Sequence, residues 1–197
     1  MKFYFIISFY YCIHMFVLKK KYYLIIENIK DINLKNIKKF NKFVIIYRNE
    51  RNNEEKVSLL KFRKKCRLKS IDFFVANNLS LATYLKADGI YLSASNKSFK
   101  ALNIKKKNFS IIGSAHNLRE ISLKNKQRCA SILFSKLFLV SYDKSAFFLG
   151  IIKFNNLILR HKNLIPLGGI NNRNLNHLNN VKSHGFTLMT EIKKKAG

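Results

Sequence analysis

Short hydrophobic runs alternate along the chain with longer polar stretches, and this rhythm predicts strands that alternate with helices. The hydrophobic runs are rich in β-branched and aromatic residues: Tyr22–Ile26, Phe43–Tyr47, Asp72–Val75, Gly89–Leu92, Phe109–Ile112, Ala130–Phe134, Leu164–Leu167 and Phe186–Met189. The pattern predicts an α/β protein, a single (β/α)8 TIM barrel with shortened helices. An open doubly wound sheet is the alternative, although the glycine pattern of a dinucleotide site is absent.

The N-terminal segment departs from this rhythm. Residues 3–18 are almost continuously apolar and aromatic, and three consecutive lysines end the run. A membrane anchor is one reading of such a segment. However, a run of about 16 residues is shorter than the roughly 20 that span a bilayer, and no small-residue cleavage site follows.

The other end of the chain offers a role for this segment. Only residues 191–197 follow the eighth strand and its first loop residue, so we expect a truncated eighth helix. The groove between strands eight and one would then be uncovered. We therefore expect residues 1–21 to be a hydrophobic extension that packs as an outer helix of the barrel, and residues 22–197 to form the barrel itself.

Composition limits the classes of partner. With 197 residues and 48% hydrophobic content, the chain can bury one core, which predicts one domain. The 38 Lys and Arg against 10 Asp and Glu give a net charge of +28, which raises nucleic acid or an anionic membrane as a partner. Lysines occur in almost every polar segment and no nucleic-acid-reading motif accompanies them. We interpret the charge as compositional bias on solvated helix faces and expect neither a specific nucleic acid nor a membrane as partner.

The cysteines and histidines argue against a disulfide or metal framework. Cys12, Cys66 and Cys129 are odd in number and far apart, and no CxxC pair is present. A reducing compartment and a cytoplasmic protein follow from this pattern. The histidines lack metal-ligand spacing, and only His116 follows a predicted strand at an interesting place.

In a TIM barrel the chemistry lies where each strand ends. The polar residues at these positions are Arg48, Asn77, Ser93–Asn96, Ser114, His116, Lys136, Gly168–Asn171 and Thr190. Gly168 and Gly169 would let the backbone approach a ligand closely, and amides there form an anion site with the following helix N-terminus. Amides near Thr190 would complete a cradle for a phosphate monoester. A plain strand-to-helix turn is the alternative reading of the glycines.

Several sequence motifs, in order from Tyr22 to Ile192, resemble the thiamine phosphate synthase/TenI family. They are YYLIIEN, VIIYRNE, FFVANNLSLATYLKADGIYL, IIGSAHNLREI, ILFSKLFLVS, LIPLGGINNRNLNHL and GFTLMTEI. The segments ADGIYL and LGGIN, together with the spacing between them, are the most specific for this family. The resemblance implies a barrel of thiamine biosynthesis whose ligand is a small phosphorylated thiazole or pyrimidine.

The resemblance also implies which family residues are changed. The synthases hold a pyrimidine pyrophosphate with a Gln, an Arg and a Lys on strand two, and the matching positions are Ile46, Arg48 and Glu50. Their two magnesium-binding aspartates match Asn77 and Asn96. Because an Asn amide brings no negative charge to a hard cation, we expect no metal and no cofactor here.

The resemblance leaves a set of residues with expected roles. We expect Arg48, Asn77, Ser114 and Lys144 to bind the substrate. We expect Gly168, Gly169 and Thr190 to bind its phosphate. The acid/base His of thiazole tautomerase matches Lys136, which, when partly desolvated, could move a proton; a surface lysine is the alternative. His116 is the second candidate catalytic residue.

Three functions remain open at this point. The first is a synthase-like barrel that binds a phosphorylated thiazole or thiamine phosphate, with its magnesium-pyrophosphate site degraded. The second is a metal-independent isomerase like thiazole tautomerase. The third is a non-catalytic barrel that binds a phosphorylated ligand. Turnover and oligomeric state are left open.

Overall fold

The computed structural model of the protein describes residues 21–37, 42–51, 54–105, 107–140, 145, 147–171 and 173–189. Its strands are β1 (Lys21–Ile26), β2 (Phe43–Tyr47), β3 (Asp72–Ala76), β4 (Gly89–Leu92), β5 (Ser110–Ala115), β6 (Ser131–Ser135), β7 (Leu164–Leu167) and β8 (Gly185–Met189). Each corresponds to one of the predicted hydrophobic runs. The periodic pattern therefore located all eight strands.

The strands form one parallel sheet in which β1 to β7 follow one another and β8 pairs with β1. Strands β7 and β8 also lie next to each other, so the sheet is a nearly closed barrel. A doubly wound sheet reverses its strand order at a switch point, and this sheet has no reversal. The predicted TIM barrel is confirmed and the doubly wound alternative is wrong.

The helices that connect the strands are short, as predicted. The α-helices are α1 (Lys56–Leu68), α2 (Leu79–Tyr84), α3 (Leu118–Lys126) and α4 (Gly150–Arg160). Short 3-10 helices occur at Ile29–Asp31, Leu34–Asn36, Lys100–Asn103 and Leu175–Asn180. No helix in the described ranges has the length and apolar character that a membrane span requires. The expected outer helix within residues 1–21 and the truncated eighth helix lie outside the described residues, apart from Lys21 in β1.

Two hydrophobic layers hold the barrel together. The inner layer fills the barrel with side chains from alternate strand positions: Tyr23, Ile25, Val44, Ile46, Phe74, Tyr91, Ile112, Leu133, Ile165 and Leu167. The outer layer packs the opposite strand faces against the helices, as where Phe62 of α1 meets Phe73 of β3 with ring centroids 5.9 Å apart. Strands covered on both faces read as continuous hydrophobic runs, which is why these segments were visible in the sequence.

Strand β5 runs three residues beyond its predicted end at Ile112. The strand continues through Gly113, where a Cβ would lie 2.8 Å from Lys124 Cδ and 2.9 Å from Cys129 Sγ. Glycine is needed because α3 packs directly on the strand there. Ser114 consequently belongs to β5 itself and is buried, not part of the following loop.

The Asp of the ADGIYL motif has a structural role. Asp88 accepts a hydrogen bond from Phe73 N (2.7 Å) and pairs with Arg63 of α1, whose NH2 lies 2.8 Å from Asp88 Oδ1. Arg63 also donates to the carbonyl of Lys86. The carboxylate thus connects α1, β3 and the entrance to β4, which places it away from the strand ends that carry chemistry.

Candidate functional site

The C-terminal ends of the parallel strands meet at one end of the barrel, here called the mouth. The predicted site residues that the topology brings to the mouth are Arg48, Asn77, Asn96, His116, Lys136, Gly168 and Gly169. Ser114 lies just below them inside the barrel. Thr190 and Lys144 fall outside the described residues, so their phosphate- and substrate-binding roles stay predictions.

Asn77 and Asn96 are joined by a direct side-chain hydrogen bond. Asn96 Nδ2 donates to Asn77 Oδ1 at 3.0 Å, and the same oxygen accepts the backbone N–H of Ser93 at 3.0 Å. Asn77 Nδ2 donates in turn to Ser93 Oγ at 3.1 Å. Asn77 has φ 56°, a left-handed conformation that Asn tolerates well. The loops after β3 and β4 are therefore linked by amides without any charge.

Arg48 is engaged by a carboxylate on its own loop. Its Nε and NH2 groups donate to Glu50 Oε1 at 3.2 and 2.8 Å. The hydrogen bond to Glu50 raises the pKa of Arg48, so the guanidinium stays charged. With side-chain exposures of 40% and 77%, the pair is solvated. An anion at the mouth would have to compete with Glu50 for Arg48.

Tyr91 forms a polar floor beneath the mouth together with Ser114. Tyr91 projects into the barrel from β4 and is 2% exposed, while Ser114 of β5 is 4% exposed. Burial raises the pKa of Tyr91, and its hydrogen bond to Ser114 and the nearby charge of Arg48 act in the opposite direction. The phenol is neutral at physiological pH and can serve as a hydrogen-bond donor.

The turn after β7 leaves consecutive backbone amides without an acceptor in the described part of the chain. Gly168 and Gly169 have φ 93° and 70°, which favour glycine. Within the described residues, the backbone N–H groups of Gly168, Gly169 and Ile170 donate no hydrogen bond, whereas that of Asn171 donates to Asn174 Oδ1 at 2.9 Å. Consecutive amides of this kind form a concave donor site for an anion.

The structure gives a packing reason for the glycine at 169. A Cβ there would lie 2.6 Å from the carbonyl oxygen of Leu139 and closer still to that of Phe138. The turn is therefore packed against the loop after β6, and Phe138 N donates to Gly168 O at 3.1 Å. Close approach of the neighbouring backbone by itself excludes a side chain at this position.

The two predicted catalytic residues occupy different surroundings. Lys136 is half-buried and runs beside the β7 turn, since a Cβ on Gly168 would lie 3.3 Å from Lys136 Cα and 3.4 Å from its Cγ. His116 is exposed, and its backbone N–H donates to Glu120 Oε2 at 2.6 Å at the start of α3. Lys136 therefore packs beside the turn after β7, while the backbone N–H of His116 is bound by a carboxylate at the start of α3.

Comparison with known proteins agrees with this geometry. The sequence profile of the thiamine monophosphate synthase family (TMP-TENI) matches residues 23–192, which is most of the chain. The chain belongs to the thiamine monophosphate synthase family. Among curated proteins the chain finds no match.

A solved member has the same fold. The chain is similar to a thiamine phosphate pyrophosphorylase from Pyrococcus furiosus, with a TM-score of 0.67 and 18% identity over 87% of this chain and 86% of that one. At this identity the likeness concerns the fold alone. The thiamine monophosphate synthase barrel is thus retained while most residues differ.

The two asparagines at the mouth offer a magnesium ion no carboxylate. Asn77 Oδ1 already accepts two hydrogen bonds, and Asn96 Oδ1 accepts the backbone N–H of Ser98 at 2.9 Å. Hard cations prefer carboxylates, and neither side chain supplies one. Within the described ranges, no group of three or more His, Cys, Asp or Glu side chains could hold a metal.

Sequence reasoning did not include Tyr91 among the site residues. The alternation of side chains along β4 was the available signal, because it places Tyr91 on the same strand face as Gly89. In the structure, Tyr91 pairs with Ile112 of β5. Because side chains alternate between the two faces of a strand, this position predicts a tyrosine inside the barrel, near the strand end. Nothing in the local sequence, however, indicates its Ser114 partner, which comes from another strand.

Proposed function

We propose that the protein binds a thiazole monophosphate at the mouth of the barrel without magnesium and does not carry out the synthase reaction. The observation that carries the proposal is the hydrogen bond between Asn77 and Asn96, at the positions where the resemblance expects the two magnesium-binding aspartates. A pair of carboxylates at that separation would repel each other and require a cation. A pair of amides needs none.

The charges around the mouth favour a monophosphate over a pyrophosphate. A leaving pyrophosphate needs cationic groups and a metal ion to take up developing charge. Here Glu50 stands at the position expected for a lysine and neutralises Arg48. A monophosphate can bind to the unengaged amides of Gly168, Gly169 and Ile170, which carry partial positive charge and need no counter-ion.

A second candidate is a metal-independent isomerase that moves a proton on the bound thiazole. The observation in its favour is that Lys136 lies directly beside Gly168. A lysine in that position could exchange a proton with a thiazole whose phosphate is bound to the same turn. The activity would be followed by NMR as interconversion of thiazole phosphate tautomers, with Lys136→Met expected to abolish turnover and retain binding.

The deciding experiment is calorimetry with three ligands. We expect thiazole phosphate to bind equally well with and without EDTA. Hydroxymethylpyrimidine pyrophosphate with Mg²⁺ should bind weakly, and both ligands together with Mg²⁺ should yield no thiamine phosphate. Synthesis of thiamine phosphate, or a large gain in thiazole phosphate affinity on adding Mg²⁺, would overturn the proposal. Binding without any tautomer exchange would leave a non-catalytic ligand-binding barrel.

A further inference from the structure

The side chain of Lys124 is completely buried under the loop that carries Asn96. Lys124 lies on α3 with 0% exposure, although it belongs to a chain whose lysines mostly face solvent. Its ammonium donates to the carbonyl oxygens of Ser93 (2.7 Å) and Asn96 (2.8 Å) and to Gln127 Oε1 (3.0 Å). The charge is therefore surrounded by three oxygen acceptors, which is the arrangement that a buried cation requires.

Gln127 extends the same arrangement. It is 1% exposed, and its Nε2 donates to the carbonyls of Asn96 (3.0 Å) and Ser98 (2.9 Å). Lys124 of α3 and Gln127, which caps the C-terminus of this helix, thus make four hydrogen bonds to the backbone of the loop at residues 93–98. Ser93 O also accepts the backbone N–H of Asn96 at 3.0 Å, whereas the carbonyls of Asn96 and Ser98 are bound by these side chains, which therefore help to fix the path of the loop.

The side chain of Lys124 is removed from solvent and packs against β5. Burial lowers the pKa of Lys124, while the neighbouring Cys129 and Glu120 raise it. The missing side chain at Gly113 provides the space, because a Cβ there would lie 2.8 Å from Lys124 Cδ. Lys124 is consequently built into the interface between β5, α3 and the loop.

We propose that Lys124 is a positioning residue for the ligand site. The ammonium holds the loop after β4 from below, the loop directs Asn96 toward the mouth, and Asn96 fixes Asn77 by their mutual hydrogen bond. In a metal-binding barrel, one cation at the mouth would order both loops by binding a carboxylate from each. In this chain a lysine ammonium inside the protein performs that ordering. The functional part of this inference rests on the proposed ligand site.

The test uses amide hydrogen exchange on the full-length protein, since it needs no ligand. The backbone N–H groups of Ser93 and Ser98 are bound to Asn77 Oδ1 and Asn96 Oδ1, so they report directly on the two asparagines. In Lys124→Met we expect both amides to exchange at least about tenfold faster, because a charge-assisted anchor is lost. Amides of β1 and β2 should keep their rates. Lys126→Met, on the same helix but exposed, is the matched control.

Ligand affinity separates positioning from simple stabilisation. We expect Lys124→Met to weaken thiazole phosphate binding about tenfold, and Asn77→Ala to add little further loss in that background because both act through one network. Unchanged exchange at Ser93 and Ser98 in the folded variant, or faster exchange with unchanged affinity, overturns the positioning role. Should the wild-type protein bind no thiazole phosphate, the proposed function fails, while the exchange rates still decide whether Lys124 orders the loop.

A second variant keeps the test decisive if Lys124→Met does not fold. Gln127→Met removes the bonds to Asn96 and Ser98, and the Lys124 ammonium loses Gln127 Oε1 but keeps the carbonyls of Ser93 and Asn96 as acceptors. We expect faster exchange at Ser98 and a smaller change at Ser93, whose carbonyl is still held by Lys124. If the exchange rates of Ser93 N–H and Ser98 N–H changed by the same factor in this variant, the proposed anchoring would be contradicted.

Discussion

Asn96 donates its side-chain amide to the side-chain oxygen of Asn77 across the loops that end β3 and β4, at 3.0 Å. The contact requires one donor and one acceptor, which two amides supply and two carboxylates do not. We expect Asn77→Asp with Asn96→Asp to create a Mg²⁺ site, since the two negative charges would then need a cation. Calorimetry with Mg²⁺ should give an affinity at least about tenfold above that of the wild type. Asn78→Asp, at the N-cap of α2, is the control that adds charge beside the site.

The salt bridge between Arg48 and Glu50 predicts a gain in anion affinity when the acid is removed. Glu50→Gln should strengthen binding of a pyrophosphate-bearing ligand several-fold, because Arg48 becomes available to it. The melting temperature should stay nearly constant, as exposed pairs contribute about 0–1 kcal/mol. Glu55→Gln, which removes the same charge at the start of α1, should leave affinity unchanged. Equal effects of both variants would point to net charge alone.

The unengaged amides after β7 predict that a single N–H group matters for affinity. Ile170→Pro deletes one of the three donors, and we expect thiazole phosphate to bind about tenfold more weakly, the loss of a charge-assisted hydrogen bond. Ile170→Val keeps the amide and should bind like the wild type. Circular dichroism verifies that both variants fold. An Ile170→Pro protein with full affinity would exclude this turn as the phosphate site.

Gly169 and Gly150 offer a matched comparison of two glycines with positive φ. Gly150 has φ 74° and open space around a potential Cβ, so Gly150→Ala should cost only the left-handed strain of about 1–2 kcal/mol. Gly169→Ala should cost at least about 2 kcal/mol more, because the new Cβ meets the backbone of Phe138 and Leu139. Urea unfolding measures both. Similar losses of unfolding free energy in the two variants would show that the loop after β6 moves to accommodate the new Cβ at little cost.

Two buried thiols predict a loss of stability at alkaline pH. Burial raises the pKa of Cys129 from 9.0 to about 11 and that of Cys66 from 9.0 to about 12. Above pH 9 the unfolded chain loses these protons before the folded protein does. Their contribution to stability is therefore complete below pH 9 and is lost as pH rises through 11 and 12, by about 1.4 kcal/mol per pH unit for each thiol.

The measurement is urea unfolding between pH 8 and pH 11 in a Cys12→Ser background, so that the two buried thiols are the only cysteines that titrate, and the comparison with the cysteine variants separates them from the tyrosines and lysines. Cys66→Ala and Cys129→Ala should each flatten the decline of unfolding free energy with pH, although the cavity they leave lowers stability at every pH. Parallel curves for these variants and their parent would contradict the assignment to the thiols.

The hydrophobic pattern by itself determined the eight strands and the TIM barrel, and the motifs determined the family. Three strands, β2, β4 and β7, have the predicted bounds, because parallel strands covered on both faces leave uninterrupted apolar runs between polar segments. The asparagines at positions 77 and 96 were also recognisable from the order of strand ends along the chain. These features depend on local periodicity or on residue identity, and both can be recognised in the sequence without the tertiary structure.

Only the tertiary structure decided how those residues are used. Ser114 was expected in a loop but lies inside β5, because glycine at 113 looks like a strand end until α3 is seen packing on it. Lys124 looked like one more lysine on a solvated helix face, and the fold buries it against the carbonyls of a distant loop. A hydrogen bond between residues about thirty positions apart leaves no periodic trace in a sequence, since it depends on where the barrel brings the two segments together.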